Sequence, residues 1–209
     1  MDLNYRTTNL FPVCLHSVIV DDFDQLQTTL IKESYDLRNK DSRGRKVSNI
    51  GGWQSELFSI DKSSDTLRSI ITKSLRGFVP IQNDILMNVE GWTNINGPGC
   101  HNIKHHHPQC NLAGVLWIKV PPKSGNLVFE SPHSFTSFTE INCYTDKFRK
   151  NTNSYLTYSY KPIEGEIVIF PSFLPHSVLI NQSEEDRICL LYTSPSPRDS
   201  CASRMPSSA

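Results

Sequence analysis

The chain has no surplus of either charge. Its 21 lysines and arginines are matched by 21 aspartates and glutamates over 209 residues, a formal net charge of +0. That removes the basic footprint needed to neutralise a phosphate backbone, so a nucleic-acid partner is not expected. The sequence has no run near the ~20 apolar residues of a membrane span. Its start, Met1-Asp2-Leu3-Asn4-Tyr5-Arg6, has acid and amide side chains where a secretory leader carries a basic region and then an apolar one. Cys14, Cys100, Cys110, Cys143, Cys189 and Cys201 include no Cys-x-x-Cys pair, which argues against a zinc ribbon and against a disulfide framework. These absences point to a soluble protein of a reducing cytoplasm. The length suits one domain, because chains of roughly 100–200 residues bury about 70% of their unfolded surface.

Two segments near the start have helical spacing. Phe23, Leu26, Leu30 and Leu37 follow Asp21-Asp22, and Leu67, Ile70, Ile71 and Leu75 follow Ser63-Ser64; they predict helices over about 22–38 and 63–77. From Val89 onward the chain changes to short β-branched and aromatic runs separated by Gly, Pro and Asn, at 112–120, 125–130, 155–160, 166–170, 175–180 and 187–192. Short antiparallel strands in this number suit a jelly-roll barrel, a double-stranded β-helix over about 89–192, with the helices covering one outer face. Residues 131–154 are polar but include Phe135, Phe138, Tyr144 and Phe148, so they suit a lid over a site or an ordinary surface insertion equally well. Residues 193–209 are rich in Ser and Pro and have little to bury; they read as a disordered or non-native tail beyond a single domain of 1–192.

The densest chemical signal is His105-His106-His107-Pro108. Side chains alternate on an extended strand, so His105 and His107 share a face and His106 points away. Two imidazoles then face one metal, although three adjacent histidines can also be a solvated polar run. The second element is the apolar segment Gly165–Phe170, which leads through Pro171-Ser172-Phe173-Leu174-Pro175 to His176. With His105 and His107 it completes a three-point metal site. The third is Arg187. If 175–180 and 187–192 form a hairpin with Ile180 opposite Arg187, then Arg187 points to the face of His176, roughly 13 Å along the strand. A guanidinium pairs bidentately with carboxylate, so Arg187 can hold the far end of a metal-chelating diacid. Alternatively it pairs with Glu184, Glu185 or Asp186 on the surface.

The ordered set Trp92-x-Asn94, Gly99, His105-x-His107-Pro108, Gly114-Val115, Pro121, Ser124-Gly125-x-Leu127-x-Phe129, Pro162, Gly165, Phe170-Pro171-Ser172, His176-x-Val178 and Arg187-Ile188, preceded by Gly51-Gly52-Trp53-Gln54-Ser55, resembles the 2-oxoglutarate and iron(II)-dependent oxygenases of marine bacteria and phages. The resemblance implies a jelly roll with iron(II) in its mouth and 2-oxoglutarate as co-substrate. It implies Arg187 on the distal carboxylate, with Asn94 and Asn96 on a strand lining the co-substrate pocket. The implied reaction couples decarboxylation of 2-oxoglutarate to succinate, with dioxygen, to hydroxylation of a small-molecule or peptide substrate.

Two positions depart from the wider pattern. Relatives usually place a carboxylate two residues after the first histidine, giving two histidines and one carboxylate around iron; here that residue is His107, so either three histidines bind the metal or a carboxylate such as Glu130 completes the set. Leu116 and Trp117 stand where relatives tend to have tyrosines, one of which contacts co-substrate. The competing readings are a cupin-like metal protein and a catalytically silent jelly-roll binding module. Gly99 and His105-x-His107 match the start of a cupin motif, but Asn111 and Leu112 stand where its Glu belongs, and an Asn appears only at 181.

Overall fold

Leu112-Ala113-Gly114-Val115-Leu116-Trp117-Ile118 is apolar throughout, as suits a strand buried on both faces. In the computed structural model, which describes residues 6–78, 89–133 and 140–195, this segment is the centre of β7 (Cys110–Lys119). Ala113, Val115 and Trp117 face one core, while Leu116 and Ile118 face another. The same division holds in β10 (Glu166–Pro171), where Val168 and Phe170 oppose Ile167 and Ile169. It holds again in β12 (Arg187–Pro195), where Cys189 opposes Ile188, Leu190 and Tyr192.

These strands belong to one of two antiparallel sheets. With β1 (His16–Ile19), β3 (Trp53–Gln54), β4 (Phe58–Ser59) and β5 (Glu90–Asn96), they form the order β1-β10-β7-β12-β5-β3, β4 also pairing with β5. The second sheet runs β2-β6-β11-β8-β9, from β2 (Asn49–Ile50), β6 (His101–His105), β11 (His176–Val178), β8 (Leu127–Glu130) and β9 (Thr157–Tyr160). Together they make the jelly roll, with one core between the sheets and one between the first sheet and the helices.

The helices are α1 (Phe23–Lys40) and α2 (Asp65–Phe78). Phe23 and Leu30 of α1 and Leu67, Ile71 and Leu75 of α2 are buried against the outer face of the first sheet, while Leu37 is exposed. The Ser64 hydroxyl accepts from the Leu67 N–H at 3.3 Å, satisfying a donor that the first turn of α2 leaves free. A short helix α3 (Asp146–Thr152) precedes β9, with Thr145 as its N-cap.

Three expectations need correction. Residues 175–180 and 187–192 do not form a hairpin: β11 pairs with β6 and β8, whereas β12 pairs with β5 and β7 in the opposite sheet. The polar turn between them crosses from sheet to sheet, held by buried Asn181, whose amide donates to the carbonyls of Asn96 and Glu185 at 2.8 Å. The tail does not begin at 193, because Thr193–Pro195 continue β12 opposite Ala113, Leu112 and Cys110; residues 196–209 lie outside the described residues. The jelly roll also draws β1 to β4 from the first sixty residues, where two- to four-residue strands are too short to show a period.

Candidate metal centre

His105 ends β6, and His176 lies opposite it at the start of β11. Between these strands the register slips: His176 pairs with His105 but Val178 pairs with Asn102, so three residues of β6 span two of β11. A bulge of this kind changes which face a side chain meets. It turns both Asn102 and His105 to the interior although their spacing is odd, and both line the same small cavity. His107 lies beyond the strand end, its N–H bonded to the Ser172 carbonyl at 2.9 Å. The sharing of a face by His105 and His107 therefore holds although the strand stops before His107, and His106 is exposed.

The three rings converge. Centroids are 4.3 Å apart for His105 and His176, 5.1 Å for His107 and His176, and 5.2 Å for His105 and His107. One nitrogen from each lies within 4.8 Å of the others, so the set can hold a metal ion. Nδ1 of His105 lies 2.8 Å from the Ile103 carbonyl, and Nδ1 of His176 lies 2.8 Å from that of Leu174. A carbonyl only accepts, so Nδ1 carries the proton and Nε2 keeps its lone pair for a metal. Nε2 of His176 is buried and, among the described residues, has no hydrogen-bond partner. Burial lowers all three pKa values, with neighbouring imidazoles adding to the effect: His107 falls to about 4 and His176 to about 3. All three are thus neutral near pH 7, the form that binds metal. Glu130, the alternative third ligand, instead pairs with Lys104 at 3.1 Å.

Arg187 opens β12 opposite Asn96 and is only 2% exposed. Its guanidinium donates to the carbonyls of Ser124 and Leu179. Among the described residues it has no carboxylate within ion-pair distance, and its desolvation lowers its pKa. The surface pairing expected as the alternative does not occur for its two nearest acids. Asp186 binds Tyr35 and Arg38, and Glu185 binds Lys119 at 2.8 Å. Gly125, at φ +92, makes room for this arrangement, since a Cβ there would lie 2.2 Å from the Leu179 carbonyl oxygen.

The cavity joining Arg187 to His105 and His176 is also lined by Asn94, Asn102 and Trp117. Of the two asparagines implied by resemblance, Asn94 reaches it. Asn96 instead donates to the Asn102 side-chain oxygen at 2.8 Å, and Asn102 donates to the Ser48 hydroxyl, which lies 3.5 Å from His105 Nε2. Asn102 and Ser48 had no signal in the sequence, because the first depends on a bulge and the second on a loop that reaches β6.

Residues 90–192 match the family described as "Putative 2OG-Fe(II) oxygenase". This part of the chain, just under half of it, is similar to that family. Iron(II) and 2-oxoglutarate are its cofactor and co-substrate, and the buried histidine nitrogen and unpaired guanidinium fit both. No curated protein sequence matches the chain significantly. Among solved structures, a prolyl-4-hydroxylase from Pseudomonas putida is similar at TM-score 0.54 and 16% identity, over 87% of this chain and 91% of that one. A viral collagen prolyl hydroxylase from Paramecium bursaria Chlorella virus-1, in its 2OG complex, gives 0.54 and 15%, over 87% and 96%. A Trichoplax adhaerens prolyl hydroxylase in complex with a hypoxia inducible factor peptide gives 0.54 and 12%, over 90% and 87%. At these identities the likeness establishes the fold.

Proposed function

We propose that the protein is an iron(II)- and 2-oxoglutarate-dependent hydroxylase in which His107, together with His105 and His176 through Nε2, holds the metal and Arg187 holds the distal carboxylate of the co-substrate. The observation that carries this reading is the buried guanidinium, unpaired with any described carboxylate, in the same cavity as an unpartnered histidine nitrogen. Burying a charge without a counter-charge is costly, and a bound carboxylate removes that cost. When bound, iron(II) and 2-oxoglutarate supply the oxidising chemistry, with one oxygen atom going to succinate and one to the substrate. The chain's own residues position and exclude. The Ile103 and Leu174 carbonyls set the tautomers of His105 and His176, and apolar Val115, Leu127, Phe170 and Leu191 keep water from the cavity. That cavity is about 20 Å³, room for about one water. Binding a five-carbon diacid therefore requires the lining side chains to move apart.

The substrate site on this reading is a groove of about 980 Å³ lined by residues 7–15, β9, and α3 with the residues just after it. It lies beside the metal: Tyr158, Phe129, His176 and His105 are successive partners across four strands, and Phe129 lines the groove with its ring 6.1 Å from that of His176. Tyr144, Phe148, Tyr155 and Tyr158 line it, and among the described residues no lysine or arginine does. Such a surface suits an uncharged or cationic substrate with apolar or planar groups. β9 pairs only with β8 among the described residues, so its other edge can accept an extended peptide.

The test is succinate formation from 2-oxoglutarate with iron(II) and dioxygen. The wild type and His106→Ala should form succinate and bind iron, whereas His105→Ala, His107→Ala and His176→Ala should lose both. Equal loss in all four variants, or none, contradicts the ligand set.

A further inference from the structure

The indole N–H of Trp117 is a buried donor that no described residue satisfies. Trp117 is 1% exposed, its Nε1 has no hydrogen-bond partner among the described residues, and its side chain lines the cavity shared by Arg187, Asn94 and His176. A tryptophan used only for packing normally finds a partner for its N–H when buried, because leaving it unmade costs free energy. Its place in the sheet is next to Arg187. Trp117 pairs with Cys189, two residues along β12 from Arg187, and on its other side Cys189 pairs with Asn94. The register slips between Ile188, which faces Lys119, and Cys189, which faces Trp117, and Arg187 and Trp117 both line the one cavity. Leu116, the other residue at this point of β7, points away into the core beneath the helices.

Resting on the oxygenase reading, we propose that Trp117 is a co-substrate-binding residue whose Nε1–H donates a hydrogen bond to the distal carboxylate that Arg187 holds. With NH1 on the Ser124 and Leu179 carbonyls, the remaining guanidinium N–H groups can pair with both oxygens of a carboxylate and still leave a lone pair for another donor. Trp117 supplies the remaining donor. An indole N–H has no acceptor capacity, so it favours the fully ionised diacid.

Trp117→Phe keeps an aromatic ring and deletes the N–H. In the iron(II)-loaded protein without oxygen, 2-oxoglutarate should bind this variant roughly 10- to 100-fold more weakly, the loss typical of a hydrogen bond to a charged group. Affinity for 2-oxopentanoate, which has the chelating end without the distal carboxylate, should stay within about twofold of wild type. The melting temperature of the metal-free variant should be unchanged or higher, because an unsatisfied donor is gone. Trp117→Tyr, which restores a donor, should recover part of the 2-oxoglutarate affinity and guards against a packing defect in the phenylalanine variant. Unchanged 2-oxoglutarate affinity in Trp117→Phe, or equal losses for both acids, overturns the assignment. Failure of the wild type itself to bind 2-oxoglutarate overturns the oxygenase reading and this inference with it.

Discussion

His176 shows how a single position can join stability to metal binding. Burial holds its pKa at about 3, far below the ordinary 6.5, so the unfolded chain takes up this proton before the folded one does. The neutral form therefore contributes stability in full above about pH 6.5, and that contribution is lost as pH falls toward 3. The expected signature, in protein stripped of metal, is a melting temperature that falls between pH 7 and pH 5. One such histidine gives a slope of about 1.4 kcal/mol per pH unit at most. His176→Asn should flatten that dependence, since the titrating group is gone. Parallel pH profiles for wild type and variant would show that the acid sensitivity arises elsewhere. His107, held at about 4 by the same causes, should add to the wild-type slope.

At the scale of elements, α3 and its flanks bring Tyr144 and Phe148 into contact, with ring centroids 4.8 Å apart, at the wall of the groove. The 131–154 segment read equally well as lid or surface insertion; its described part lines the groove, and Phe135 and Phe138 lie outside the described residues. Replacing Tyr144 and Phe148 together by Ala should raise KM for the hydroxylated substrate by roughly tenfold, since aromatic contacts carry much of such binding. The Kd for 2-oxoglutarate should stay within about twofold, because neither ring touches that cavity. A matched rise in both, with a lower melting temperature, would instead make the segment part of the fold. Elements also mark where reading the sequence ran out. Phe23, Leu30, Leu67, Ile71 and Leu75 were legible because a helix repeats its buried face every three or four residues. The partner of β12 was not: adjacency in sequence suggested β11, and only the closure of two sheets puts them on opposite walls.

For the whole molecule, the jelly roll explains why a reading based on a wrong hairpin still placed Arg187 and His176 on one cavity. Strands of both sheets turn alternate residues inward, so an inward arginine on one wall faces an inward histidine on the other. Local parity put His105 and His107 on one side, but the bulge and strand end that set their positions were not legible. Asn102 was not legible either, since it depends on that bulge, and the resemblance marked position 117 without the unmade hydrogen bond of its indole. No described helix is long and apolar enough to cross a membrane. The central claim is that this interior joins a three-histidine metal to a carboxylate anchor, and an anaerobic titration of 2-oxoglutarate into the iron(II)-loaded protein tests it most directly through the metal-to-ligand charge-transfer absorbance. Wild type should saturate. Arg187→Ala should bind about 30- to several-thousand-fold more weakly with iron affinity intact, because a buried charge partner is worth about 2–5 kcal/mol. Arg187→Lys should recover part of the loss, the charge surviving without the planar fork. Equal 2-oxoglutarate affinity in wild type and Arg187→Ala would contradict the account.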